Sequence, residues 1–524
     1  MGWWRSYAGD ERFSSSTLTI SIGIFAVLWL LWVVKKQRKA VVPPLPPGPR
    51  GLPILGYLPF IGTELHKKFE QLGGIYGPIY KIWLGNKLCI VISSPSLVKE
   101  VVRDQDAIFA NRDATKAALA LTSGGVDIVF SPNGPNWRML RKMFVREMLS
   151  PANLDSTFAL RREEVRNTII NVYEKIGAPV DLGELAFETV MNAIMKLLWG
   201  STLQGEEGAK LGDEFRHMFS DLMLLLGKPN VSDLVPALAS FDLQGIVREV
   251  KGISQSIERV LDYVIDKQIK SLAKDKEEGK PKTGQKDFLQ VLLEIWEKDN
   301  GANSISMTQL KVVLLDIVVG ASDTTTTTSE WVMARLMKHS ETMRKVYEEL
   351  IEIVGMDNLV EESHLPKLHY LDAVIKETLR LHPPIPFLIP RTPSESSIIG
   401  GYHVPKGSRI FLNVWAIQRN PEYWDNPLEF KPERFLNDGY GRLDYSGNNF
   451  KFFPFGSGRR ICAGITLGDK TLKYFLASIL HSFEWKLPQG SEIDVSDTFG
   501  IITKKKNPTI AIPTPRLSKF ELYT

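Results

Sequence analysis

Cysteine is almost absent from this chain of 524 residues, where only Cys89 and Cys462 occur. That scarcity excludes a disulfide framework and a cysteine-rich zinc site. A strong charge of either sign is missing too. Lysine and arginine number 64 against 60 acidic residues, and a net charge of +4 gives no reason to expect nucleic acid as a partner. The chain also lacks a G-x-G-x-x-G turn, a Walker A loop, a G-x-S-x-G elbow and an H-E-x-x-H pair, so it has no evident nucleotide site of its own. No fixed-period repeat is present, which excludes solenoids and propellers. With 44% hydrophobic and 24% charged residues, the bulk of the chain has the composition of a folded protein.

What is present begins with an N-terminus unlike the rest. From Phe13 to Val34 no residue is charged, and Lys35, Lys36, Arg38 and Lys39 follow at once. A helix over that run would be about 33 Å long, against roughly 30 Å of bilayer hydrocarbon. Basic residues stay in the cytosol, so residues 1–40 are predicted to be a single-pass anchor and basic stop, with the body cytosolic. A cleaved signal peptide needs a small-residue site after the apolar run, and Val33-Val34-Lys35-Lys36 offers none. Residues 41–56, with Pro43-Pro44-Leu45-Pro46-Pro47-Gly48-Pro49, read as a stiff extended hinge. Residues 57–524 remain as one large domain.

Helical periodicity dominates that domain from about residue 95 to residue 385, as in Val312-Leu315-Asp316-Val319. Alternating runs at Ile79–Leu84 and Leu88–Ile92, split by Gly85-Asn86, predict a hairpin. Regular βαβ alternation is missing, so the expected fold class is mainly α with small β-sheets, preceded by one transmembrane helix. The charged stretch from Lys274 to Lys286 reads as a surface loop.

The informative segment is Phe452-Phe453-Pro454-Phe455-Gly456-Ser457-Gly458-Arg459-Arg460-Ile461-Cys462-Ala463-Gly464. Helical pattern follows it, which places Cys462 near a helix N-terminus, where dipole and free amides favour a thiolate. The glycines let backbone amides approach a sulfur and let a flat cofactor lie close. An inert core cysteine needs no such setting.

Phe455, Gly458, Arg460, Cys462 and Gly464 fit F-x-x-G-x-R-x-C-x-G, and here the chain resembles the cytochrome P-450 enzymes. The resemblance implies a cytochrome P-450 fold, haem b as cofactor, Cys462 as axial thiolate of the iron, and Arg460 as partner of a haem propionate. Such a thiolate pushes electron density onto iron and favours O–O cleavage. Trp137 and Arg141, four apart on one helix face, resemble the family's W-x-x-x-R and by that resemblance also reach propionates; Arg391 looks like a further propionate partner. Glu377-Thr378-Leu379-Arg380 resembles E-x-x-R. With Arg434 of Phe430-Lys431-Pro432-Glu433-Arg434-Phe435 it would form a buried support for the cysteine loop.

Gly320-Ala321-Ser322-Asp323-Thr324-Thr325 resembles the oxygen-handling motif, with Ala321 where the family usually has glycine. A carboxylate in an apolar helix is costly without partners. The five threonines Thr324–Thr328 together weaken the helix by roughly 3 kcal/mol against alanine. A weak polar patch of this kind suggests a groove opened for a ligand. The resemblance makes dioxygen that ligand, with Thr324 as hydrogen-bonding hydroxyl and Asp323 as relay of protons from solvent.

The anchor, the hinge, Pro383-Pro384 and Trp415-Ala416-Ile417-Gln418-Arg419-Asn420-Pro421 resemble plant microsomal members in particular. That resemblance implies the endoplasmic reticulum membrane and NADPH electrons delivered by a separate membrane-bound flavoprotein, NADPH-cytochrome reductase. Arg138, Lys142, Lys451 and Arg459 are candidates for docking it. Pocket candidates are residues 119–130, 223–243, 312–321, 385–389 and 499–502, rich in Leu, Ile, Val and Phe. An apolar small-molecule substrate follows, with a sesquiterpenoid preferred and a flavonoid or phenylpropanoid as the alternative. A non-catalytic membrane binding protein is the remote reading, and the presence of Cys462 and Thr324 speaks against it.

Overall fold

The computed structural model describes residues 43–200, 206–277, 286–298, 305–436 and 443–524, with Gly23 and Val27 besides. Apart from Gly23 and Val27, the predicted membrane anchor therefore lies outside the described residues, as do residues 278–285 of the predicted surface loop. Among those described, no helix is long and apolar enough to cross a membrane.

A helix of 32 residues, Met307–Lys338, runs through the middle of the body. Ser306 and Gln309 start it with a reciprocal capping box, which satisfies two amides that no helical carbonyl can reach. It is buried on almost every side, unlike a surface helix with one apolar stripe. Leu182–Trp199, His369–Leu381 and Ile465–Ser482 pack directly against it. Its first half belongs to one hydrophobic cluster, with Leu198, Phe219 and Leu292, and its second half to another, with Leu371, Phe475 and Leu480.

The predicted hairpin forms, Ile79–Leu84 against Lys87–Ile92. It is the edge of a five-stranded sheet completed by Arg409–Leu412, Arg391–Thr392 and Asn111–Arg112. Arg409–Leu412 runs parallel to Lys87–Ile92, and the other neighbours are antiparallel. Cys89, in this sheet, is fully buried and its thiol is pushed up to about 12, the mark of an inert core cysteine. The proline-rich segment lies against this sheet: Lys81 donates its amide to Pro47 O (2.7 Å), and the His403 amide reaches Pro44 O (2.9 Å).

Candidate active site

The cysteine loop closes on itself before the helix Ile465–Ser482 begins. The Cys462 amide donates to Phe455 O at 2.9 Å, and the Phe455 ring meets Tyr445 edge-on at 4.8 Å. Gly458 has φ +68°, and a Cβ there would lie 2.3 Å from Val102 O, so both conformation and space demand glycine. A Cβ on Gly464 would sit 4.0 Å from Cys462 Sγ. The expected lowering of the thiol does not appear. Cys462 keeps accessible surface, but burial of its sulfur pushes the thiol up and outweighs the Gly464 amide and the Arg141 charge. A bound metal ion reverses that balance, because a coordinating thiol is deprotonated outright.

Beside the loop lies a cluster of guanidinium groups. Arg460 donates Nε to Ala110 O (2.7 Å) and Nη1 to Ile128 O (3.2 Å), and Nη2 bonds Ser131 O. Its guanidinium stacks 4.0 Å over the Trp137 ring, while the indole N–H donates to Ile128 O at 3.0 Å. Arg141, one helical turn on in Pro135–Met143, bonds Ile461 O. Arg391 reaches Ser457 O (2.6 Å) and Asp106 Oδ1 (3.2 Å). Trp137, Arg141, Arg391 and Arg460 are thus brought together as the sequence suggested.

A fourth arginine joins them that sequence reading missed. Arg112 sits directly across a two-residue ladder from Arg391, an arrangement of like charges that is unfavourable by itself. Arg112 is held well below its ordinary value by burial, then by Arg391, Arg460 and Arg141. Arg460 is pulled down to about 9, by burial and then by Arg391. Asp106 and Asp127 are the carboxylates that face this cluster. A two-residue strand has no periodicity, so no sequence signal marks Arg112.

On the central helix the face bearing Gly320 and Thr324 is the open one. Gly320 is exposed and Thr324 half-buried, although Ser322, Asp323 and Thr325 are buried. A Cβ at Gly320 would meet nothing within 4 Å. The threonine run does not break the helix, because hydroxyls bond back to carbonyls four residues earlier: Thr324 to Gly320 O (2.8 Å) and Thr328 to Thr324 O (2.7 Å). Ala321 and Ala463, the latter next to Cys462, both pack against the first hydrophobic cluster. Asp323 faces elsewhere, towards Lys504.

The predicted support network is fully buried. Arg380 binds Glu377 through two hydrogen bonds (2.7 and 2.8 Å) and collects Gln418 O, Pro427 O and Glu429 O. Arg434 Nε lies 3.4 Å from Glu377 Oε1. Every donor of the pair has an acceptor, the condition under which buried ions hold a loop rather than destabilise it.

A haem group fits what these residues offer. A sulfur with accessible surface and four guanidinium groups with a deficit of negative charge match a flat metal chelate bearing two carboxylates. The pocket stretches are less apolar than composition suggested. Asp316, in the 312–321 stretch, accepts the Ile128 amide at 2.7 Å, and Asp127, fully buried, accepts the Phe130 amide at 2.8 Å. Burial raises Asp316 well above the usual carboxylate range, and Asp127 raises it further.

Residues 46–512 match the model of the Cytochrome P450 family. A flavonoid 3'-monooxygenase of Crocosmia x crocosmiiflora is 38% identical over 94% of this chain and 96% of its own length. A flavonoid 3'-monooxygenase of Arabidopsis thaliana is 36% identical over 96% and 98%, and a 3,9-dihydroxypterocarpan 6A-monooxygenase of Glycine max is 36% identical over 96% and 97%. A zebra fish cytochrome P-450 solved with progesterone superposes with a TM-score of 0.73 at 27% identity, covering 86% of this chain and 99% of that one. The chain belongs to the cytochrome P-450 family and has its fold. It is a monooxygenase that uses haem b, dioxygen and electrons from NADPH through a redox partner.

Proposed function

We propose that this cytochrome P-450 hydroxylates a flavonoid or related phenylpropanoid. The carrying observation is the 38% identity over 94% of the chain to a flavonoid 3'-monooxygenase. The sesquiterpenoid preference rested on apolar pocket stretches, and Asp127 and Asp316 within two of them weaken it.

Haem b held by Cys462 supplies the redox centre at which dioxygen is activated. Arg112, Arg141, Arg391 and Arg460 are the residues that would hold its carboxylates by charge-assisted hydrogen bonds. Trp137 stacks on the Arg460 guanidinium and so helps to orient it. Phe455, Gly458 and Gly464 shape the cysteine loop, and Glu377, Arg380 and Arg434 hold the segments behind it. Thr324 carries a proton at Oγ, resting on Gly320 O, where the open face of the helix lies. Asp323 replenishes it from solvent. Over one turnover, substrate, dioxygen, NADPH and a proton give hydroxylated substrate, water and the oxidised nicotinamide.

The membrane topology follows the sequence: residues 1–40 anchor the chain in the endoplasmic reticulum membrane, 41–56 join it to the domain 57–524, and catalysis is cytosolic. Arg138, Lys142 and Arg459, all exposed, form with Lys451 the basic face for NADPH-cytochrome reductase. Microsomes carrying this chain and a reductase, supplied with NADPH and a panel of flavonoids and sesquiterpenoids, test the substrate. A hydroxylated flavonoid supports the reading. An oxygenated sesquiterpenoid with no flavonoid product overturns it. Protease treatment of sealed microsomes tests the topology, since a cytosolic domain is digested and a lumenal one is protected.

A further inference from the structure

Asp323 is buried, and its carboxylate has turned away from the Thr324 hydroxyl. Neighbouring helix positions diverge by about 100°, so the two side chains cannot share a face. Lys504 Nζ lies 2.7 Å from Asp323 Oδ2, with the lysine side chain 49% exposed and the aspartate side chain 7% exposed. The ammonium approaches off the axis of a directed hydrogen bond, so the pair is held by charge.

Lys504 stands on a two-stranded hairpin, opposite Thr498. The turn between the strands, residues 499–503, contains the 499–502 stretch that the sequence placed at the substrate, and its Thr503 amide fixes it to Pro384 O at 2.8 Å. Two helical turns beyond Asp323, Glu330 accepts from the Thr509 amide (3.0 Å) and hydroxyl (3.2 Å). Both acids therefore anchor the C-terminal segment to the back of the central helix, but with different chemistry. Glu330 has neutral donors, with Lys505 nearby as a charge. Asp323 has a cation that reaches water.

We infer that Lys504 is the positioning residue of Asp323, holding its carboxylate where this buried acid meets a water-exposed charge. The inference rests on the relay role proposed for Asp323. Water gathered at the ammonium gives Asp323 a proton, Asp323 passes one on towards Thr324 and is a carboxylate again, and Lys504 stays charged throughout. The two protons so delivered in a turnover leave in product water, and the hydrogen of the new hydroxyl is the one the substrate's own C–H bond supplied.

The full-length enzyme with its reductase tests this in the variants K504M, K504R and D323N. Three quantities are read: the share of NADPH electrons lost to hydrogen peroxide, the solvent deuterium effect on turnover, and the melting temperatures of K504M, D323N and the double variant. K504M is expected to raise the peroxide share by on the order of threefold, the size of a half-exposed ion pair's effect, and to enlarge the solvent deuterium effect. K504R keeps both near the parent values. The melting temperatures are expected to be non-additive, a sign of the pair that needs no turnover. A leaking D323N beside a fully coupled K504M overturns the role of Lys504 and leaves Asp323 as relay. A fully coupled D323N overturns the relay itself, and the inference with it. Strictly additive melting shifts overturn the pairing.

Discussion

Asp316 and Ile128 tie the central helix to the loop above it. The Ile128 amide donates to Asp316 Oδ2 at 2.7 Å, and the carbonyl of the same residue accepts the Trp137 indole at 3.0 Å. One residue thus joins a pocket stretch to the helix that carries Trp137 and Arg141. Asp316 is raised by burial and by Asp127, so in the folded state it keeps its proton above the usual carboxylate range. As pH rises through that range the unfolded chain loses the proton first, and stability falls until the folded group titrates too. D316N keeps an acceptor for Ile128 without the titration. It is expected to melt higher than the parent at pH 8, and the difference should shrink towards pH 4. Melting curves across that range check it.

Arg112 is predicted to hold the cofactor as strongly as the arginines that resemblance pointed to. R112A removes a charge-assisted contact of about 1.5–3 kcal/mol, so loss of haem to an acceptor protein should accelerate at least about tenfold. Transfer to apomyoglobin, followed by absorbance, measures this. An unchanged rate would remove Arg112 from the cluster's function.

Breaking the buried Glu377–Arg380 pair should cost far more than its surface counterparts. R380A leaves Glu377 charged and buried, a loss of about 3–5 kcal/mol. Expected outcomes are a lower melting temperature and little haem-bearing protein, read by the reduced carbon monoxide spectrum. R344A, which breaks an exposed pair with Glu341, should change melting little.

G458A forces a Cβ to 2.3 Å from Val102 O and asks alanine for φ +68°. The conformation alone costs roughly 1–2 kcal/mol, and the clash adds to it. Haem retention should fall sharply. G320A, with nothing within 4 Å of its new Cβ, should keep its haem and act on turnover instead.

T324A removes the hydroxyl that rests on Gly320 O. NADPH consumption should persist while hydrogen peroxide rises and product falls. Parallel assay of the three quantities decides it, and unchanged coupling would defeat the role assigned to Thr324.

The parts of this site that lie close together in sequence were legible there. Phe455 to Gly464 is one turn of chain, and Glu377 with Arg380, or Trp137 with Arg141, share a helix face by spacing alone. Partners from distant segments were not legible. Arg112 meets Arg391 across strands too short to show a pattern, Lys504 meets Asp323 from a separate hairpin, and Asp127 meets Asp316 from a loop. The burial of the Cys462 sulfur was not legible either, because spacing reveals the helix dipole but not the burial that opposes it. The relatives favour the flavonoid alternative over the sesquiterpenoid preference, which apolar composition alone had no means to separate.

The guanidinium cluster draws on residues 112, 141, 391 and 460. Its members are made far apart in time as well as in sequence. At roughly 5–20 residues per second, some 20–70 s separate the synthesis of Arg112 from that of Arg460. The cysteine loop arrives with the last of them, so the cofactor cradle cannot exist on a nascent chain until nearly nine-tenths of it has been made. Premature termination before that point yields a polypeptide with much of the helical core but no place to hold iron.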